Sequence, residues 1–128
     1  MTTPNRKISV TLLEFGAPLL DLLDEPRIEE FRAALSIVIV IWNAHALSMA
    51  AGGDHGSYLD ELARCRQRLM EEGAPAVMLA SIDALSARRV SDYADDPRCV
   101  GEWDLRREDA GGYTLRCEAR LPGRKETI

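Results

Sequence analysis

The chain reads as an α+β protein, mostly α, with an irregular four-helix bundle around a central apolar helix and a C-terminal β-hairpin. Three features lead there. Ala33–Gly53 is a run of twenty-one residues without a charge. Around it, several segments repeat apolar residues at helical spacing and are punctuated by Pro, Gly and Asp. Near the C-terminus the period changes to strict alternation across a glycine-containing turn.

The first helix is expected at about 11–23. Thr11-Leu12-Leu13-Glu14 fits the S/T-x-x-E capping box, and Leu12, Phe15, Leu19, Leu22 and Leu23 form its stripe. Pro18 should kink it by removing the bond to the Glu14 carbonyl. Residues 1–8 read as loose and polar. Arg6 and Lys7 precede an apolar stretch that Glu14, Gly16, Pro18 and Asp21 interrupt too soon for a targeting signal.

The second helix, about 26–51, opens at Pro26 and carries Glu29 and Glu30 in its first turn, where they complement the dipole. Its middle, Ser36–His45, is apolar on every side and so demands cover from other elements or from lipid. A buried strand is the rival reading, because Ile37–Trp42 is rich in β-branched residues. No turn residue separates that run from the helical pattern of 26–35, so continuity favours helix. A membrane span is the other rival. Asn43 and His45 would then sit in hydrocarbon, the flanks lack positive-inside asymmetry, and amphipathic neighbours need a surface to pack on. Gly52 and Gly53 should stop the helix.

A third helix, about 57–72, follows the N-cap Ser57. It carries Tyr58, Leu62, Cys65 and Leu69 on one face and paired charges on the other. Gly73 closes it. The fourth, about 75–94, starts at Pro75, carries Met78, Leu79, Ile82 and Leu85, and ends at Asp95-Asp96-Pro97.

The hairpin is expected over about 99–121. Matching apolar faces requires an odd loop, and Asp109-Ala110-Gly111 with Gly111 left-handed supplies one. It sets Trp103 opposite Cys117, Leu105 opposite Leu115 and Asp104 opposite Arg116. A lone hairpin is marginal in water. Its open edge should be closed either by residues 6–10 as a third strand or by a second copy, giving a symmetric homodimer.

A single domain suits 128 residues with 46% hydrophobic and 29% charged content. The net charge of −5 is not concentrated: residues 1–85 carry 7 basic and 12 acidic groups, and 86–128 carry 9 of each. No one-signed basic surface results, so nucleic acid is not expected as a partner. Three cysteines without CxxC spacing read as reduced thiols of a cytoplasmic protein. Arginine outnumbers lysine 14 to 2, consistent with a GC-rich bacterial genome.

Candidate ligand-binding residues are Asn43, His45, Arg89 and Arg106. Asn43 and His45 are polar groups in the most apolar segment, but about 200° apart around the helix they cannot converge on one ligand. Each reads first as the partner of a buried carbonyl or amide. Arg88, Arg89, Arg98, Arg106 and Arg107 are interleaved with acids, the pattern of a solvated, salt-bridged surface. His55 with Asp54, Asp60 and Glu61 matches no specific metal spacing, and neither does Asp92-Asp95-Asp96. Cys65 and Cys117 fall on apolar faces and Cys99 has no assignment. No phosphate loop or nucleophile constellation is present. No catalytic residue, metal or cofactor is therefore expected. The functional expectation is a non-catalytic protein acting through self-association or a protein partner, with regulation as its role. The alternative is a small-molecule binder or enzyme with a pocket between the helices.

Overall fold

A computed structural model of the chain describes residues 7–23, 27–50, 55–109 and 111–121. The protein is α+β and mostly helical: α1 (Ile8–Phe15), α2 (Ala17–Leu20), α3 (Ile28–Ala50), α4 (His55–Glu71), α5 (Ala76–Ser91), then β1 (Cys99–Arg107) and β2 (Tyr113–Arg120). Five helices replace the expected four because the first is divided.

That division lies at Gly16, not at Pro18. A Cβ at Gly16 would stand 2.9 and 3.0 Å from the two methyls of Val38, so glycine lets this corner approach α3. Pro18 sits in the first turn of α2, where a missing N–H is tolerated. The Glu14 carbonyl accepts a bond from Arg88 Nη2 at 3.0 Å, and Nε of the same side chain donates to the Phe15 carbonyl at 3.2 Å. The expected capping box is absent. The helix starts at Ile8, and the Thr11 hydroxyl donates to the Lys7 carbonyl. A helical Ile8–Val10 also overturns the third strand at residues 6–10, since that stretch caps the core with Ile8 instead of extending a sheet.

α3 is one continuous helix through Ile37–Trp42, as chain continuity required. Glu30 Oε1 accepts the Arg27 amide at 2.9 Å, half of a capping box at its start. The expected start at Pro26 and stop at Gly52-Gly53 lie outside the described residues. α3 is long and apolar enough to cross a bilayer, and half of that stretch is buried by the fold. Leu35, Val38, Ile41 and Trp42 are fully buried, whereas Leu47 and Met49 near its C-terminal end are each 53% exposed. Cover is therefore one-sided there. α4, α5 and β1 pack against α3, and α1 and α2 close the remaining side. α4 ends in a Schellman motif: Ala74 N–H bonds the Leu69 carbonyl, Gly73 N–H bonds that of Met70, and Gly73 has φ +85°.

The hairpin has the register expected from its alternation: Trp103↔Cys117, Asp104↔Arg116, Leu105↔Leu115. Glu108 N–H bonds the Gly112 carbonyl and Gly111 has φ +98°, so the loop spans positions 109–111. Alternation breaks at one place. Between Val100 and Trp103 the register shifts, and Gly101 and Glu102 together oppose Glu118. This bulge turns Val100 onto the buried face with Leu105. β1 lies against α3 and β2 against α1.

Candidate functional site

The four candidate residues are not brought together. Asn43 faces β1: its Nδ2 donates to the Val100 carbonyl at 3.0 Å and its Oδ1 accepts the Val100 amide at 2.7 Å. A side-chain amide thus pairs with the strand as another strand would. His45 points the other way, buried, with its ring edge-on to Tyr58 at 5.1 Å. Tyr58 in turn donates toward the carbonyl and hydroxyl of Ser86 on α5, both at 3.4 Å, and burial raises its phenol pKa. Arg106 is exposed on the wet face of β1, paired with Asp104 at 2.8 Å.

Arg89 is the departure from expectation. It continues the α5 stripe of Ile82 and Leu85 and is 0% exposed, not part of a solvated surface. Its guanidinium lies 3.7 Å over the Trp42 ring. Nε donates to the Trp42 carbonyl at 3.3 Å, Nη2 to that of Asp96 at 3.0 Å, and Nη1 to that of Tyr93. Burial lowers its pKa to about 10, which still leaves it a cation at neutral pH.

Around it the connection at residues 93–100 is pinned from every side. Trp42 Nε1 donates to the Arg98 carbonyl at 2.7 Å. Asp96, buried, accepts Arg98 Nη2 at 2.6 Å, Arg98 Nε at 2.9 Å and the Arg98 amide at 3.1 Å. Arg98 Nη2 also reaches the Thr11 hydroxyl of α1 at 3.4 Å. Tyr93 stacks edge-on with Phe15 and Trp42 and donates to Glu14 at 2.9 Å. These groups form a buried polar hub whose effect is to fix where the hairpin emerges. Arg89, Arg98 and Asp96 are held by one another, by Thr11 and by backbone, so the hub positions structure. Asp96 and Arg98 also line a cavity of about 390 Å³ with Pro97, Ala119 and Leu121.

The hub and α3 together decide which hairpin edge is open. Asn43 takes both backbone groups of Val100, and Arg32 Nη2 donates to the Leu105 carbonyl at 3.2 Å. Those groups point away from β2, so in an antiparallel ladder the residues opposite them on β2 also point their backbone groups outward. Leu115, Cys117 and Ala119 therefore present N–H and C=O along the outer edge of β2. Among the described residues, no helix side chain bonds to these three.

A groove of about 490 Å³ runs between α3 and α4, lined by Val40, Asn43, Ala44 and Leu47 with Glu61 and Arg64 at the rim. Its charges pair with each other at 2.7 Å, so it offers apolar surface without converging free polar groups. Among the described residues, no three His, Cys, Asp or Glu side chains gather as a metal site. Asp54 lies outside the described residues, as does the placement of the His55 side chain. All three cysteines are free thiols. Burial raises the pKa of Cys65 and Cys99, and pushes Cys117 up to about 11.

No family model, curated protein or solved structure matches the chain. The place of Arg89 in the α5 stripe with Ile82 and Leu85 was the available signal of its burial, which the solvated reading of the arginines passed over. Asp96 and Arg98 carried no such signal, because their neighbours come from α1, α3 and α5.

Proposed function

We propose that this is a non-catalytic cytosolic protein that acts by self-association, with the free edge of β2 as its interface. The observation that carries the reading is the asymmetry of the hairpin. Side chains from α3 bond the outer edge of β1 at Val100 and Leu105, whereas the outward groups of Leu115, Cys117 and Ala119 on β2 have no helix partner among the described residues. An open edge on a two-stranded sheet is a template for another strand. Pairing with an identical strand closes it by a two-fold axis and yields a sheet ordered β1-β2-β2-β1. Val10 and Leu13 on α1, the helix that packs against β2, and Leu121 just beyond the strand are exposed apolar side chains. The polar residues suited to chemistry support the same reading, because Asn43, Arg89 and Asp96 are engaged in holding the fold.

Sedimentation velocity from about 1 to 100 µM should show a monomer–dimer equilibrium, the range in which interfaces of modest size operate. Ala119→Pro removes one outward N–H while leaving the β1–β2 ladder intact, since proline is tolerated on an edge. It should shift the protein to monomer without lowering its helical circular dichroism. A dimer indifferent to Ala119→Pro would exclude this edge.

A further inference from the structure

The charge pattern of β2 selects one way for the strand to pair with its own copy. We infer that the dimer is centred on Cys117, with Arg116 of each protomer opposite Glu118 of the other. This inference rests on the reading of β2 as the interface and specifies its register.

Antiparallel pairing of two identical strands about a two-fold places residues whose numbers share a fixed sum opposite one another. Centring on Cys117 sets Tyr113 opposite Leu121, Leu115 opposite Ala119, and Cys117 opposite itself, and it uses the whole strand. Leu115, Cys117 and Ala119 carry outward backbone groups, so the central pairings, Leu115 with Ala119 and Cys117 with itself, are hydrogen-bonded. On the wet face the same centring sets Arg116 opposite Glu118 twice, both side chains being exposed. Cross-strand pairs of opposite charge stabilise a sheet, and like charges directly opposite destabilise it.

Neighbouring registers fail on one count or the other. Centring on Arg116 opposes two arginines. Centring on Glu118 opposes two glutamates and sets Arg116 against Arg120 on both sides. Centring on Leu115 or Ala119 leaves only about five residues of each strand paired, fewer main-chain bonds than the full-length register provides.

The isolated chain leaves these charges available. Asp104, across the ladder from Arg116, is paired with Arg106 at 2.8 Å instead. Arg116 has no ion-pair partner among the described residues. Glu118 is held by Arg120 at 2.6 Å, an exposed contact of the kind that exchanges at little cost. Thr114 of one copy would face Arg120 of the other, so no like-charge pair arises anywhere along the strand. Leu121, 44% exposed, gains the Tyr113 ring of the other protomer as a neighbour.

The test is a complementary pair of variants. Arg116→Glu places two glutamates opposite each other at both sites, and Glu118→Arg does the same with arginines. Each alone should raise the dimer dissociation constant at least about tenfold. Mixed in equal amounts they regain opposite charges at both sites and should form a heterodimer within about threefold of the native affinity. Sedimentation velocity reads the affinities, and far-UV circular dichroism with the melting temperature confirms that each variant folds. A measurement on the native chain stands beside these. Diamide, which takes up two electrons and two protons to become the hydrazine, should join two Cys117 thiols in an S–S bond. Peptide mapping should find that cross-link in the native protein and in Cys65→Ser and Cys99→Ser, but not in Cys117→Ser. At the hydrogen-bonded pair the Cα atoms lie about 5.5 Å apart, within disulfide reach.

A native dimer whose single variants bind as tightly as the parent, or that never cross-links through Cys117, overturns the register while leaving self-association standing. A native chain that stays monomeric to about 100 µM removes the underlying reading as well.

Discussion

Arg89 holds a full charge where no water reaches, and three backbone carbonyls and the Trp42 face replace its hydration shell. A guanidinium suits this place because its planar fork addresses several acceptors at once and stacks on an aromatic ring. Lysine carries the same charge but cannot reach three carbonyls. Arg89→Lys should therefore destabilise the protein by about 2 kcal/mol, and Arg89→Met by about 2–4 kcal/mol, since methionine fills the volume but leaves the Tyr93 and Asp96 carbonyls without a donor. Urea unfolding followed by tryptophan fluorescence measures both, Trp42 being the reporter in contact. Equal stability of Arg89→Met and the native protein would mean that the carbonyls find other donors and that the hub is dispensable.

The hairpin owes its placement to α3. Alone, two strands would be marginal. Here Asn43 substitutes for a third strand at Val100 and Arg32 does so at Leu105. Asn43→Leu puts a good helix former on an apolar helix, so loss of helix propensity is not at issue. What it removes is the partner of one N–H and one C=O, a loss of about 2–3 kcal/mol if both stay dry. The damage should be local. Amide hydrogen exchange should accelerate at Val100 and its neighbours on β1 before it does so in α3 or α5. Uniform acceleration across all elements would show instead that hairpin and helices open as a single unit. The bulge at Gly101 belongs to the same arrangement, because without it Val100 would face solvent and Asn43 would have no strand to hold.

For the molecule as a whole, the core built on α3 is one-sided. Leu47 and Met49 are more than half exposed while Trp42, one and two turns earlier, is sealed. Association through β2 links folding to concentration, because a dimer that forms only from folded chains stabilises them by mass action. The melting temperature should then rise by about 5 °C for each hundredfold increase in protein concentration. It should lose that dependence in Ala119→Pro. A flat melting temperature in the native protein would match a monomer at every concentration used.

Local chemistry made much of this fold readable in advance. Period-3.6 stripes placed α3, α4 and α5 and merged α1 and α2 into one helix, strict alternation with Gly111 set the hairpin register, and continuity with 26–35 made Ile37–Trp42 helical. These depend on neighbours in sequence, so sequence suffices. The rest depended on groups far apart in the chain. The corner at Gly16 exists because Val38 passes within van der Waals distance, and the start of α1 at Ile8 follows from the core that Ile8 helps close. The burial of Arg89 and the partial burial of Arg98, against the solvated surface that alternating charges suggest, required carbonyls and an indole from other elements. Charge and periodicity describe what a side chain prefers. Only tertiary contact decides whether water or protein satisfies it, and here that decision ties β1 to α3 at Val100 and Leu105 while no helix side chain among the described residues bonds Leu115, Cys117 or Ala119 of β2.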